Sequence, residues 1–325
     1  MSEAVNDTRL VECSNISDPW QSVLCTRCGL VLSPDHQELL GIYYKLEPMF
    51  GTLAFVLSLL SLIGNFLVIL TALADRHNHN MADLFFFNIA IASEFYSGVN
   101  IIGESLSLVQ GQITLKESCV SQPLTSLRIL TFTVSIYSLL AVSMDRYLAT
   151  TTMFNVSNDN NRKVEILVLL WLISLAITLP IAFCDFTVNI PYTVCLAIII
   201  LCLPLLGVLV FNFFICKSAR IQVGPMPRHG EIHTQRTVRL VTALVVSLVI
   251  LWMPYLVMIS YPAINGDIFS CDGYIRVLLV ERAVNILAYF NAAINPVLYC
   301  VFSKTFRQGF QSIHRFSCPC LFEPQ

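Results

Sequence analysis

The sequence predicts an all-α membrane protein, a seven-transmembrane helix bundle with a short amphipathic eighth helix behind it. Three observations carry that expectation. The 325 residues are 56% hydrophobic and only 12% charged, about half the charged share of a soluble domain, so apolar surface must be hidden by something other than one compact core. The apolar residues fall into seven runs, each near or above the roughly 20 residues that cross a bilayer as helix. The basic residues divide unevenly between the loops, which sets an orientation.

Residues 1–44 read as an outer N-terminal segment, acidic and cysteine-bearing. Residues 1–38 lack the apolar core of a signal peptide, so the first span is expected to serve as the membrane signal. The spans lie at about 48–74, 81–109, 119–150, 164–183, 191–216, 238–262 and 275–301, within a transmembrane domain at 45–301. The first carries Gly64-Asn65. Beyond Asp83 at its start, the second holds Glu94 and Glu104 in its interior, where carboxylates are costly. The third is the least clean, because Arg128 interrupts it, and it closes on Ser143-Met144-Asp145-Arg146-Tyr147. The fifth contains Pro204, and the sixth a Trp252-Met253-Pro254-Tyr255 turn. Proline removes a backbone donor and bends a helix, which makes the inner half of the sixth span a lever. The seventh closes on Asn295-Pro296-Val297-Leu298-Tyr299 and repeats that logic, with Asn65 and Asn291 as nearby polar groups. Residues 302–325 hold an amphipathic stretch through Phe306-Arg307, expected to lie along the membrane surface, and a short tail.

With the N-terminus outside, twelve of the 19 Lys and Arg side chains fall on the cytoplasmic side, and the acidic residues lean outward. The opposite orientation would reverse the positive-inside rule. Two glycosylation sequons, at Asn6 and Asn15, then lie outside. Six of the 12 cysteines do so as well, in a compartment that permits disulfides.

The order and spacing of these motifs, from Gly64-Asn65 to Phe306-Arg307, resemble the rhodopsin-like G-protein-coupled receptors, in a divergent form of the peptide and chemokine branch. The resemblance implies a multi-pass plasma-membrane receptor with its N-terminus extracellular and its C-terminus cytoplasmic. It would bind an extracellular ligand, a peptide or small protein, and activate a heterotrimeric G protein. It implies no catalysis, no cofactor, no metal and no nucleic acid; membrane lipid is the remaining partner. By the same resemblance Cys119 pairs with Cys184, and Cys271 pairs with the N-terminal segment through Cys28, with Cys25 competing. Cys318 and Cys320 become palmitoyl anchors.

The resemblance also assigns roles. Asp145, Arg146 and Tyr147 form a switch in which the carboxylate holds the guanidinium until neighbouring helices part; the alternative is an interfacial arginine snorkelling to water. Asn295, Pro296 and Tyr299 complete that face. Phe154 is either a knob pressed into the G protein or an apolar side chain resting on lipid. Trp252 and Pro254 form the activation toggle, with Trp252 as the pocket floor or simply an indole packed at a kink.

Several positions depart from the family. Ser93 stands where relatives carry the aspartate of a sodium site, while Ser135 and Asn291 match its other members. Such a cluster should hold water and bind sodium weakly. Glu94 is rotated about 100° around the helix and should not substitute. Asn212, Thr234 and Met153 replace other switch residues, leaving raised basal signalling as one expectation.

On the ligand side, Arg128 lies five helical turns above Arg146 on the same face, where amine receptors keep an aspartate. A cation there argues against an amine and suits an acidic group; the alternative is an internal salt bridge to Glu104 or Glu281. Tyr255 and Tyr289 complete the expected pocket. A receptor for a lipid or small organic acid, or a scavenging decoy, are the competing readings. Light sensing is excluded, since residues 275–301 contain no lysine and Tyr289 occupies the Schiff-base position. No internal repeat suggests a transporter, and neither a zinc-protease motif nor a nucleophile elbow suggests an enzyme.

Overall fold

The computed structural model describes residues 34–74, 81–110, 121–151, 160–183, 195–221, 229–264, 271–303 and 306–311. Seven of its helices are long and apolar enough to cross a membrane. In chain order they are α1 (Pro34–Ala74), α2 (Met81–Gln110), α3 (Ser121–Thr151) and α4 (Asn160–Thr178, extended by a 3₁₀ turn to Ala182). Then come α5 (Leu203–Ile221, entered through a π turn at Ile198–Cys202), α6 (His229–Ile264) and α7 (Cys271–Phe302). A short α8 follows at 306–311. The first helix starts well before the apolar run does, and Pro48 lies inside it rather than opening it.

The burial pattern is that of a membrane bundle, with apolar side chains outward and polar ones inward. Leu206, Leu209 and Phe213 on α5, and Val246, Ile250, Met253 and Val257 on α6, are exposed at helical spacing. Asn65, Ser93, Ser97, Asn100, Thr133 and Asn295 are buried. α3 is the central strut, set against α2, α4, α5 and α6, while α7 closes the ring on α1 and α6.

Polar side chains fasten the struts. Asn88 Nδ2 donates to Ser138 Oγ at 2.9 Å, and Trp171 Nε1 donates to Asn88 Oδ1 at 2.9 Å, so one amide joins α2, α3 and α4. Pro204 explains the wide turn at the head of α5. Leu203 N–H reaches back five residues to Ile198 O, and the next residue, proline, has no N–H to continue the pattern. The Ile199 carbonyl left over accepts a hydrogen bond from Tyr137 Oη of α3 at 3.0 Å.

Glycine also lets helices come close. A Cβ on Gly64 of α1 would stand 2.7 Å from Cγ of Pro296, so the absent side chain is what lets α1 reach the bend of α7. At the inner end, the chain leaves α7 through Ser303 N–H to Tyr299 O. Phe306 of α8 then stacks on Tyr299 with ring centroids 5.2 Å apart.

Candidate functional site

Three layers run down the bundle axis. At the inner end of α3, Arg146 turns Nε onto Asp145 Oδ2 at 2.9 Å, and its Nη2 reaches the same oxygen. The two side chains are 12% and 18% exposed, so the pair sits at a rim where an incoming group can compete for the guanidinium. Tyr147 lies against Phe211 and Phe214 of α5, centroids 5.5 and 5.9 Å away. Tyr299 is fully buried between Phe86 and Phe306. Asn295 Nδ2 donates to Ser93 Oγ at 3.3 Å, rather than to either of the amides expected beside it. Asn65 instead donates to the Ala292 carbonyl at 3.1 Å and the Ser61 carbonyl at 2.9 Å. That arrangement bridges the backbone of α7 just before Pro296.

The middle layer is aromatic above and polar below. Trp252 packs on Phe132 at 4.2 Å and on Tyr96 and Tyr255 at 5.6 Å each. Beneath it a cavity of about 20 Å³ is lined by Ser93, Thr131, Ser135, Asn291, Trp252 and Tyr96, among others. That is room for about one water. Its wall offers hydroxyls and an amide and no carboxylate, so a monovalent cation would have no counter-charge. Exchanging sodium chloride for choline chloride should therefore leave the melting temperature of the purified protein unchanged. Ser93→Asp should introduce a sodium-dependent stabilisation of about 1–3 kcal/mol, read from melts across a sodium series. Glu94 is turned away toward the backbone of Phe66 on α1, outside that cavity.

The outer layer holds the charges. Arg282 of α7 forks onto Glu104 of α2, with Nη1 to Oε1 and Nη2 to Oε2 both at 3.0 Å. The two side chains are 3% and 4% exposed. Tyr289 Oη donates to Glu104 Oε1 at 3.1 Å, and Glu47 of α1 adds a looser contact to Arg282 at 3.4 Å. A buried charge requires such a partner, and a bidentate fork is the strongest form it takes.

This geometry corrects the salt bridge considered for Arg128. Glu104 is already held by Arg282, and among the described residues Arg128 forms no ion pair with it or with Glu281. Arg128 Nε donates instead to the neutral Asn100 Oδ1 at 2.8 Å, and its guanidinium carbon stands 5.9 Å from the Tyr289 ring centroid. Arg282, Glu47 and Asn100 are thus site residues that sequence reasoning passed over. The signal for Arg282 was present: it precedes Tyr289 by seven residues, two turns of one helix face, and Glu104 needed a cation. Tyr255 is buried beside Trp252, and Glu281 is partly exposed one residue before Arg282.

Other expected site residues fall outside the described residues: Cys28, Cys119, Cys184, Asn6, Asn15, Phe154, Met153, Cys318 and Cys320. The same holds for the side chains of Cys271 and Thr234, of which only the helical backbone is described.

Comparison with known proteins agrees with this architecture. The family profile described as 7 transmembrane receptor (rhodopsin family) matches residues 64–299. The chain is 28% identical over 303 residues to the C-X-C chemokine receptor type 2 of Canis lupus familiaris, covering 87% of this chain and 82% of that one. It is 27% identical over 291 residues to the histamine H2 receptor of Homo sapiens, covering 81% and 78%. To the somatostatin receptor type 4 of Rattus norvegicus it is 28% identical over 288 residues, covering 82% and 72%.

Proposed function

Because the chain belongs to the rhodopsin family of seven-transmembrane receptors, we propose that it is a plasma-membrane receptor, N-terminus outside, which couples an extracellular peptide or small protein to a heterotrimeric G protein. The observation that carries the coupling is the Asp145–Arg146 pair at the rim of α3. A guanidinium held, among the described residues, by its chain neighbour, and still in reach of solvent, is one that a partner helix can draw away when α3 and its neighbours separate. Two arrangements of one element, biased by ligand above and partner below, are what a receptor requires. The relatives named for a chemokine, histamine and somatostatin differ in ligand class, and Arg128 speaks against the amine. The acidic N-terminal segment supports a basic peptide or protein, steered in by the opposite field.

The test expresses wild type and Arg146→Ala at matched surface levels, set through an N-terminal tag on unpermeabilised cells. Dissociation sensors for each G-protein class are read without added ligand. Basal dissociation of one class that falls to the untransfected level in the mutant is the expected result. A wild-type signal that survives Arg146→Ala would remove the switch from this account.

A further inference from the structure

The outer layer contains two arginines, Arg282 buried and Arg128 partly exposed, and treats them differently. Arg282 is neutralised by a bidentate carboxylate. Arg128 is given only an amide oxygen, although Glu104 is close: the guanidinium lies over Gly103, where a Cβ would meet Arg128 Nη2 at 2.9 Å. We propose that Arg128 is the subsite for an acidic group of the ligand, and that the Glu104–Arg282 pair keeps Arg128 available by holding Glu104 away from it. This rests on the receptor reading above and names the ligand chemistry it leaves open.

The donors left open at Arg128 and Asn100 fit an acceptor. Arg128 is partly exposed, and a guanidinium carries five N–H donors, of which Asn100 takes one. Asn100 Nδ2 is buried with the Tyr96 hydroxyl one turn away as its neighbour, so it adds a donor that an anion would compete for. Tyr289 gives its hydroxyl proton to Glu104, which leaves its ring as a wall beside the guanidinium. A cationic ligand group would meet the like charge of Arg128, and the nearby Glu104 is already engaged by Arg282. The subsite also has a path to the toggle. Phe132 is one turn below Arg128 on α3 and rests on Trp252 at 4.2 Å, so a shift of α3 at Arg128 is passed to the indole through Phe132.

The pair's second role follows from its geometry. Glu104 is fixed by Arg282 from α7 and by Tyr289. Without Arg282, its carboxylate would be buried and unpaired, with Arg128 the cation across Gly103. Removing an arginine that does not touch the ligand should then silence the one that does.

The experiment uses the purified full-length receptor and three probes on one scaffold: 4-phenylbutyrate, 4-phenylbutyramide and 4-phenylbutylamine. Apparent affinities are read from ligand-dependent shifts of the melting curve. Wild type should prefer the acid to the amide by at least about tenfold, the scale of a charge-assisted contact, and should not respond to the amine. Arg128→Gln should erase the preference, and Arg128→Lys should keep part of it. Arg282→Gln should also erase it, while Glu104→Gln combined with Arg282→Gln should restore it. A merely structural role for Arg282 would weaken the responses to acid and amide together in Arg282→Gln and leave their ratio unchanged. Equal responses of wild type to acid and amide, including none to either, overturn the subsite. Full acid preference in Arg282→Gln overturns the shielding. No G protein is present in this assay, so a receptor that prefers the acid yet shows no Arg146-dependent signal contradicts the coupling alone.

Discussion

Arg282→Ala is expected to deplete the receptor from the cell surface and to lower the melting temperature of whatever can be purified. The change leaves Glu104 ionised in a site that is 4% exposed, where among the described residues the Tyr289 hydroxyl is its remaining hydrogen-bond partner and Arg128 can reach it only by leaving Asn100. Removing one member of a buried ion pair costs about 3–5 kcal/mol, a large part of the roughly 5–15 kcal/mol that holds a folded protein together. Glu47 is 21% exposed and can turn to water, so the loss is concentrated on Glu104. The cause is the stranded charge, and the double replacement isolates it. Glu104→Leu with Arg282→Leu deletes both charges, fills comparable space, and should recover most of the stability, since apolar replacement of a whole buried pair is often neutral or favourable. Arg282→Lys should fall between, because an ammonium lacks the planar fork. Surface staining and thermal melts read all three. A wild-type melting temperature for Arg282→Ala would show that the fork contributes nothing.

Gly64→Ala should destabilise the receptor although alanine is the better helix former. Its Cβ would be 2.7 Å from Cγ and 3.1 Å from Cβ of Pro296. A proline ring has no rotamer by which to withdraw, so α1 or α7 must shift. Overpacking of this kind typically costs about 1–3 kcal/mol, against the roughly 0.5–1 kcal/mol that alanine gains over glycine in a helix. Gly98 on α2 supplies the control, since nothing stands within 4 Å of a Cβ there. Gly98→Ala should therefore be neutral or raise the melting temperature slightly. Opposite signs for two identical substitutions would locate the effect in the α1–α7 contact rather than in backbone freedom. If both variants melt alike, that contact is looser than the glycine implies. A functional effect accompanies the structural one, because Asn65 next door holds the Ala292 carbonyl and anchors α7 at its bend.

The spans were legible because a bilayer enforces length and hydropathy together, and each of the seven runs holds one described membrane-length helix, with bounds that differ by a few residues at 119–150, 164–183 and 191–216. The start of α1 was not legible. Residues 34–47 carry Asp35, Glu38, Lys45 and Glu47, so hydropathy ends before the helix does, and Pro48 resembles a beginning when it is in fact internal. Within the site, the Asp145–Arg146 pair needed no tertiary knowledge, since its members are adjacent. Pairings between helices did. Which of Arg128 and Arg282 meets Glu104 depends on the rotation of α7 about its axis, and no local pattern records that angle. The sodium-site residues were placed correctly as neighbours of one cavity, yet Asn295 chose Ser93 over the nearby amides. The choice among hydrogen-bonding groups a few ångströms apart is set by packing rather than by spacing.

The wide turn at the head of α5 changes how that helix must be counted. A five-residue turn inserts one position into a 3.6-residue period, which rotates everything outward of it by about 100° relative to everything inward. Inward of the turn, the buried positions Pro204, Val208 and Ile215 follow one phase; outward, Leu196 and Ile200–Leu201 follow another. A helical wheel drawn through the whole of α5 would therefore put bilayer-facing residues into the ligand pocket and pocket residues into the bilayer. Mutational scans of α5 need two separate wheels, joined at Tyr137, whose hydroxyl holds the carbonyl where the phase slips.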